Sequence, residues 1–236
     1  MAFRYSPRVV TNGLVLYLDA ANTKSYVSGS TSWNDLTINS NNGTLTNGPT
    51  FSSGNRGSIV FDGIDDRVSQ SSSINTGQNF TVSSWIYPTL LGATRRAIAG
   101  NSYPFSFRDG WLFCTAGGAN NTFFISIGAD ASYKVAAANT LNTNEWSFVT
   151  AVVQNGGGSI DLYKNGLIIT SFAASLITSG TVTYNTSQFN VGFRTVGGTT
   201  DPYTGNIAQV SIYNRALSAD EILQNYSATK SRFGLT

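Results

Sequence analysis

A chain of 236 residues with 14 Lys and Arg against 12 Asp and Glu carries a formal net charge of +2, and it holds no basic block able to follow a phosphate backbone, which argues against nucleic acid as a partner. Only 11% of the residues are charged while 41% are hydrophobic, including 14 Phe, 11 Tyr and 4 Trp, so a large core can form beneath a surface of Ser, Thr, Asn and Gly. The absence of histidine removes the usual base of a serine or cysteine triad and the commonest transition-metal ligand, which excludes triad and zinc chemistry.

The opening stretch, Met1 to Arg8, has no apolar run of signal-peptide length, and nothing later approaches the roughly 18 apolar residues of a membrane span. The expectation is a soluble chain made in a cytoplasm, without a signal peptide or membrane insertion. Phe3, Arg4, Tyr5 and Arg8 precede the first strand-like run, and aromatic and Arg side chains supply many interface hot spots. Residues 1–12 are therefore read as an attachment arm for a partner protein or a neighbouring copy. The competing reading packs Phe3 and Tyr5 on the domain's own sheet as an edge strand.

Strand-like runs then follow one another between Gly and Asn clusters: Leu14 to Leu18, Ser58 to Phe61, Phe80 to Tyr87, Phe123 to Ile127, Trp146 to Val153, Ile160 to Tyr163, Phe189 to Phe193 and Ile207 to Tyr213. Asn165-Gly166, set between two of these runs, predicts a type I′ hairpin turn because both residues tolerate positive φ. A helix start appears only at Ser218-Ala-Asp-Glu221, whose spacing is that of a capping box, with Leu217 and Ile222 as its hydrophobic staple. That helix is expected to run to about Ser227 with Ile222, Leu223 and Tyr226 facing the sheets. The whole of 1–236 reads as one all-β domain, a two-sheet antiparallel sandwich with one short C-terminal helix.

Acidic chemistry is sparse. A glycosidase needs paired carboxylates, yet the chain has two Glu: Glu221 is committed to the cap, and Glu145 lies in a turn-like Asn142-Thr-Asn-Glu145. The expectation is a protein that is not an enzyme. Asp62, Asp65 and Asp66 form the densest acidic cluster and offer hard oxygen ligands to calcium, with backbone carbonyls or Asp201 to complete the shell. The expectation is an ordinary Asp-Gly turn in which Arg67 pairs with one carboxylate and no cofactor is bound, with calcium as the alternative. Tyr103, Phe105, Phe107 and Trp111, interleaved with Arg95, Arg96, Arg108 and Asp109, offer either a sugar-stacking platform or core. The lone Cys114 reads as a small buried hydrophobe.

Several phrases occur in order along the chain: Gly13-Leu-Val-Leu-Tyr-Leu-Asp19, Trp33-Asn-Asp-Leu36, Asn41-Asn-Gly-Thr-Leu45, Ser58-Ile-Val-Phe-Asp-Gly63 with Asp65-Asp66, and Phe80-Thr-Val-Ser-Ser-Trp85. Trp146-Ser-Phe-Val149, Leu162-Tyr-Lys-Asn-Gly166 and the stretch from Gly205 to Ser218 continue the series. Together they resemble concanavalin A-like, laminin G-like jelly-roll domains found in virion proteins of marine phages. The opening and closing segments are similar to stand-alone cyanophage-type structural proteins. The resemblance implies a jelly roll on a virion surface, as capsid decoration or fibre component. It also implies a homo-oligomer whose partners are other virion proteins, with glycan binding for host recognition as the alternative role. One departure stands out: Ala208 and Gln209 occupy the place where relatives carry an acidic pair.

Overall fold

A half-buried strand buries every second side chain, as Arg67–Ser69 does, whereas Phe80–Pro88, Gly110–Thr115 and Ser147–Gln154 are buried almost throughout, as strands covered on both faces are. The computed structural model describes residues 7–92, 94–102, 110–115, 121–129, 132–156, 158–173, 188–196 and 198–236. In chain order the strands are β1 (Leu14–Asp19), β2 (Ser32–Trp33), β3 (Gly43–Thr46), β4 (Thr50–Ser52), β5 (Ser58–Asp62) and β6 (Arg67–Ser69). Next come β7 (Phe80–Pro88), β8 (Arg96–Ser102), β9 (Gly110–Thr115), β10 (Thr122–Ala129), β11 (Ser132–Asn139) and β12 (Ser147–Gln154). The last are β13 (Ser159–Lys164), β14 (Leu167–Ala173), β15 (Phe189–Val191), β16 (Thr195–Val196), β17 (Thr199–Thr200) and β18 (Thr204–Tyr213), followed by helix α1 (Ala219–Thr229).

Two eight-stranded antiparallel sheets face each other. The first runs β14-β13-β12-β7-β18-β5-β4, with β1 also paired to β18, and the second runs β11-β10-β9-β8-β15-β6-β3-β2. Between them lies one apolar core: Phe61, Phe80, Val82, Ile86, Val149 and Ile207 from the first sheet meet Trp33, Trp111, Phe113, Phe123 and Phe189 from the second. Each fully buried side chain of this size contributes about 1.5–3 kcal/mol over its exposed state. The expected antiparallel jelly-roll sandwich is the fold observed.

The Asn165-Gly166 turn joins β13 to β14 with φ of 52° and 81°, as a type I′ turn requires. A Cβ at Gly166 would press at 3.0 Å on Leu223, so the tip is seated against α1.

The helix begins as its sequence predicts: Ser218 Oγ accepts from the Glu221 amide, and Glu221 accepts from the Ser218 amide at 2.9 Å. Leu217 and Ile222 are buried together with Val152, Tyr163 and Tyr213 on the outer face of the first sheet. Leu223 departs from expectation, being 42% exposed. At 100° per residue the buried face passes through Ile222, Asn225 and Thr229, with Tyr226 at its flank, and leaves Leu223 to one side.

Asn225 replaces the missing apolar contact with hydrogen bonds. Its Oδ1 accepts from the Val10 amide at 2.8 Å and its Nδ2 donates to Tyr213 Oη at 3.0 Å, while Tyr213 Oη donates to the Val10 carbonyl at 2.9 Å. The chain before β1 is thereby tied to α1 and β18. Of the expected arm, Phe3, Arg4 and Tyr5 lie outside the described residues. Arg8 has an exposed side chain, and its carbonyl accepts from Gln224 Nε2 at 2.7 Å.

Candidate functional site

The outer face of the first sheet is covered by α1 over part of its area only. Trp85, Phe148 and Ala208 lie beneath the segment that follows the helix, where Phe233 stacks on Trp85 with ring centroids 4.0 Å apart. Two residues farther along β7 the same face presents Tyr87, which pairs across β18 with Asn206. Asn206 in turn pairs with Val60, and Val60 with Thr50, so that Ser58 and Ser52, two residues away on β5 and β4, share this face. Gly205 brings β18 close to β7 here: at φ 129° its Cβ would fall 2.2 Å from the Tyr87 carbonyl oxygen.

The result is a groove of about 230 Å³, walled by Tyr87 and Trp146 and rimmed by Ser52, Asn55, Ser58 and Asn206. The two rings stand 5.3 Å apart at 47° to one another, both half-buried. Trp146 comes from the turn before β12 and is backed by Phe233 at 4.6 Å. Trp146 Nε1 donates to Asn55 Oδ1 at 3.1 Å, and Asn206 Nδ2 donates to Ser58 Oγ at 3.0 Å. Asn55 has φ of 52°. It is held by the segment after α1: its Nδ2 donates to the Arg232 carbonyl at 2.9 Å, while Arg232 Nη1 reaches Asp19 Oδ1 at 2.8 Å and Nη2 reaches the Gly57 carbonyl. The groove is thus assembled from five separate stretches of chain and clamped by the last.

A second concavity, about 410 Å³, lies beside Tyr26, Leu45, Pro49 and Phe51. Its two rings pack on each other at 5.2 Å and belong to the core, with Tyr26 almost fully buried.

The three acidic residues are brought together as the sequence suggests. One oxygen from each of Asp62, Asp65 and Asp66 falls within 4.8 Å of the others. Asp62 Oδ1 accepts from the Ile64 amide, Asp66 Oδ2 from the Asp62 amide, and Asp65 Oδ2 from Asn47 Nδ2. Burial pushes the Asp66 carboxyl above its ordinary range, and the charges of Asp62 and Asp65 add to this. The donor set has the hard oxygen chemistry that calcium takes. Two details of the expectation are corrected. Arg67 donates to the Asp65 main-chain carbonyl at 3.3 Å and lies over the Phe193 ring, and among the described residues it pairs with no carboxylate. Asp201 is occupied in a buried ion pair with Arg194 at 2.7 Å.

Each Glu is paired with a cation. Hydrogen bonding from Asn142 Nδ2 at 2.8 Å, with Lys164 Nζ at 3.1 Å, holds the Glu145 carboxyl below its ordinary range. Glu221 is engaged by Arg215 through both oxygens, at 2.8 and 2.6 Å.

Of the aromatic platform considered from sequence, Trp111 is core, 1% exposed and 5.3 Å from Phe80. Arg95 is exposed, and Arg96 Nη1 donates to Thr204 Oγ1 at 2.7 Å. Tyr103, Phe105, Phe107, Arg108 and Asp109 lie outside the described residues. The aromatic pair at the groove was hidden because Tyr87 and Trp146 end or precede two strands far apart in sequence. The one signal was that each occupies the outward register of its run.

A family model described as the concanavalin A-like lectin/glucanases superfamily matches residues 61–223, more than half of the chain. This chain belongs to that superfamily. Among solved structures the superfamily member resembles domain 4 of AbnA, a GH43 extracellular arabinanase from Geobacillus stearothermophilus, solved in complex with arabinotriose. That match has a TM-score of 0.68 and 18% identity, and covers 90% of this chain and 98% of that one. The receptor binding domain of botulinum neurotoxin C/D mosaic serotype matches with a TM-score of 0.67 at 17% identity, over 91% of this chain and 51% of that one. Trypanosoma rangeli sialidase matches with 0.66 at 15%, over 95% of this chain and 34% of that one. At such identities the likeness is one of fold. No curated protein matches by sequence.

Within the superfamily frame, the Ala208-Gln209 departure has a packing reason. Ala208 is fully buried between Trp85, Phe148 and Phe233, and Gln209 is 2% exposed at a register shift in β18. A carboxylate at 208 would be buried among aromatic rings and would have to be stripped of water, at a cost of several kcal/mol.

Proposed function

We propose that this superfamily member binds carbohydrate without cleaving it, and does so as a surface protein of a phage particle. The observation that carries the binding reading is the open Tyr87–Trp146 groove, where two half-buried rings stand beside a rim of carboxamides and hydroxyls. Sugar rings present C–H faces that pack on aromatic rings and hydroxyls that both donate and accept, which Asn and Ser match. Sharing a fold with an arabinanase domain solved with arabinotriose agrees with this use of the sandwich, though fold alone does not fix it. The non-catalytic half rests on the engagement of Glu145 and Glu221 by Lys164 and Arg215, and on a groove lining with no carboxylate.

The virion setting rests on the ordered sequence phrases and on the sparsely charged, Ser-, Thr- and Asn-rich composition; it makes the protein an adhesin or decoration displayed among other virion proteins. Titration calorimetry against a glycan panel, with Trp146→Ala as control, tests the first claim. Binding lost in the variant is expected; a panel with no binder overturns it. Reducing-end release over long incubation is expected to be nil. Mass spectrometry of purified particles, with imaging of the labelled protein, tests the setting.

A further inference from the structure

We infer that Arg56 is a ligand-binding residue at the rim of the Tyr87–Trp146 groove, where it meets an anionic group, a carboxylate or a sulfate, on the bound glycan. The inference rests on the carbohydrate reading above and adds to it one residue and the charge class of the ligand.

The observation that carries it is a strained backbone with no contact to offset the strain. Asn55 and Arg56 follow one another in the left-handed region, with φ of 52° and 68°. Asn is at home there because its short carboxamide bonds locally, whereas Arg crowds its Cβ against the following carbonyl oxygen, and glycine would take the position without strain. The fold holds this conformation from both sides. Asn55 donates from Nδ2 to the Arg232 carbonyl at 2.9 Å and accepts from Trp146 Nε1 at 3.1 Å. After Arg56 the chain passes so close to Ala20 that a Cβ at Gly57 would fall 2.4 Å from the Ala20 carbonyl oxygen. Strain fixed by its surroundings in this way gathers at binding sites. Among the described residues the exposed Arg56 side chain makes no hydrogen bond, ion pair or ring contact, so no interaction within the fold accounts for an Arg at this place.

Its position supplies a reason. Arg56 stands between Asn55 and Ser58, both of which line the groove. The cations nearest to it in the assembly of the groove are engaged elsewhere: Arg232 Nη1 is on Asp19 Oδ1 at 2.8 Å, Lys164 Nζ is on Glu145 Oε1 at 3.1 Å, and Lys230 lies over the Tyr226 ring at 5.6 Å. A guanidinium meets a carboxylate or sulfate with paired N–H donors in a fixed fork, and such charge-assisted bonds are roughly twice as strong as neutral ones. With the anionic group on Arg56, the rings of Tyr87 and Trp146 take the C–H face of the sugar, and Ser58 and Asn206 take its hydroxyls.

The test is calorimetry on the full chain, in chelator so that Asp62, Asp65 and Asp66 cannot bridge through calcium. Lactose is compared with sialyllactose and with sulfated lactose, and galactotriose with trigalacturonate, so that the carboxylate and sulfate arms are read separately. At low salt an acidic member is expected to bind about tenfold more tightly than its neutral counterpart, and the margin should shrink in about 0.5 M salt. Arg56→Gly should remove the margin, leave neutral binding unchanged and melt no lower than the parent. Arg56→Asn, which also suits the left-handed region, should do the same, while Arg56→Lys keeps the charge without the fork and should retain part of the margin. Trp146→Ala should weaken every member of the panel about tenfold or more. Neutral sugars binding as tightly as acidic ones, or an acidic preference that survives Arg56→Gly, overturns the role of Arg56 and leaves the groove as the sugar site. Melting of both Arg56→Gly and Arg56→Asn well below the parent would make the side chain part of the fold and also overturns that role. No binding across the panel, or binding indifferent to Trp146→Ala, overturns the carbohydrate reading itself.

Discussion

Arg232 and Asp19 stand 213 residues apart in sequence and 2.8 Å apart in the fold, with side chains only 9% and 13% exposed. One follows the helix and the other closes β1, so the pair fastens the last stretch of chain across the outer face of the first sheet. Removing a single partner of so buried a pair leaves the other charge uncompensated. Arg232→Ala is expected to lower unfolding stability by about 3 kcal/mol, read from urea melts. Arg232→Lys should recover part of that and lose the contacts to Asn55 and Gly57. An Arg232→Ala protein as stable as the parent would remove the clamp.

Glu221 should make the stability of the helix pH-dependent. Hydrogen bonding from Arg215, with the Ser218 amide in support, lowers its carboxyl from 4.5 to about 2. A folded value below the unfolded one means that the stabilisation is fully present above pH 4.5 and is lost as pH falls toward 2. At pH 7, Glu221→Gln is expected to cost about 1–2 kcal/mol. The gap between variant and parent should close across that acid window. A gap that is constant down to pH 2 would contradict the assignment.

The acidic cluster makes an opposite-signed prediction. Because burial raises the Asp66 carboxyl in the folded chain, ionising it costs folded stability as pH rises from 3.8 through the raised value. A divalent cation held by Asp62, Asp65 and Asp66 would reverse that cost. In millimolar calcium the melting midpoint is expected to rise by about 3–8 °C over that in chelator. Asp66→Asn should melt no lower than the parent in chelator and should not respond to calcium. An unchanged parent midpoint leaves the segment as a turn.

Cys114 should be chemically silent. It is fully buried beside Ala97, Leu112 and Phe124, and burial pushes its thiol far above the ordinary range. Alkylation at neutral pH is expected to run about a thousandfold slower than in denaturant, limited by opening of the sheet. Labelling at comparable rates in both states would show that β9 is accessible.

The sequence made some elements plain and hid others for identifiable reasons. β1, β5, β7, β12 and β18 are rich in Val, Ile, Leu and aromatics, and the capping box and Asn-Gly turn are local chemistry. β8 (Arg-Ala-Ile-Ala-Gly-Asn-Ser) and β11 (Ser-Tyr-Lys-Val-Ala-Ala-Ala-Asn) carry small side chains with little alternation, and they become strands through their sheet neighbours. The acidic cluster was readable because its members are adjacent in sequence. The groove was not, since Asn55, Tyr87, Trp146 and Asn206 meet only once the register of β4, β5, β18 and β7 is set. Leu223 illustrates the remaining difficulty: a hydrophobic residue one step off the buried stripe reads like its neighbours until the sheet shows which face it covers.

β18 lies within the first sheet, paired with β7 along its length and with β5 and β1 over its two halves. A ribosome delivers β18 after all three of its partners, so β1, β5 and β7 wait with unfilled edges until residues 204–213 emerge. The nascent chain therefore passes through a long interval in which hydrophobic strands are present and their shared neighbour is not. Recombinant production should accordingly favour low temperature, where hydrophobic association is weaker, and fragments ending before residue 204 should collect as aggregates.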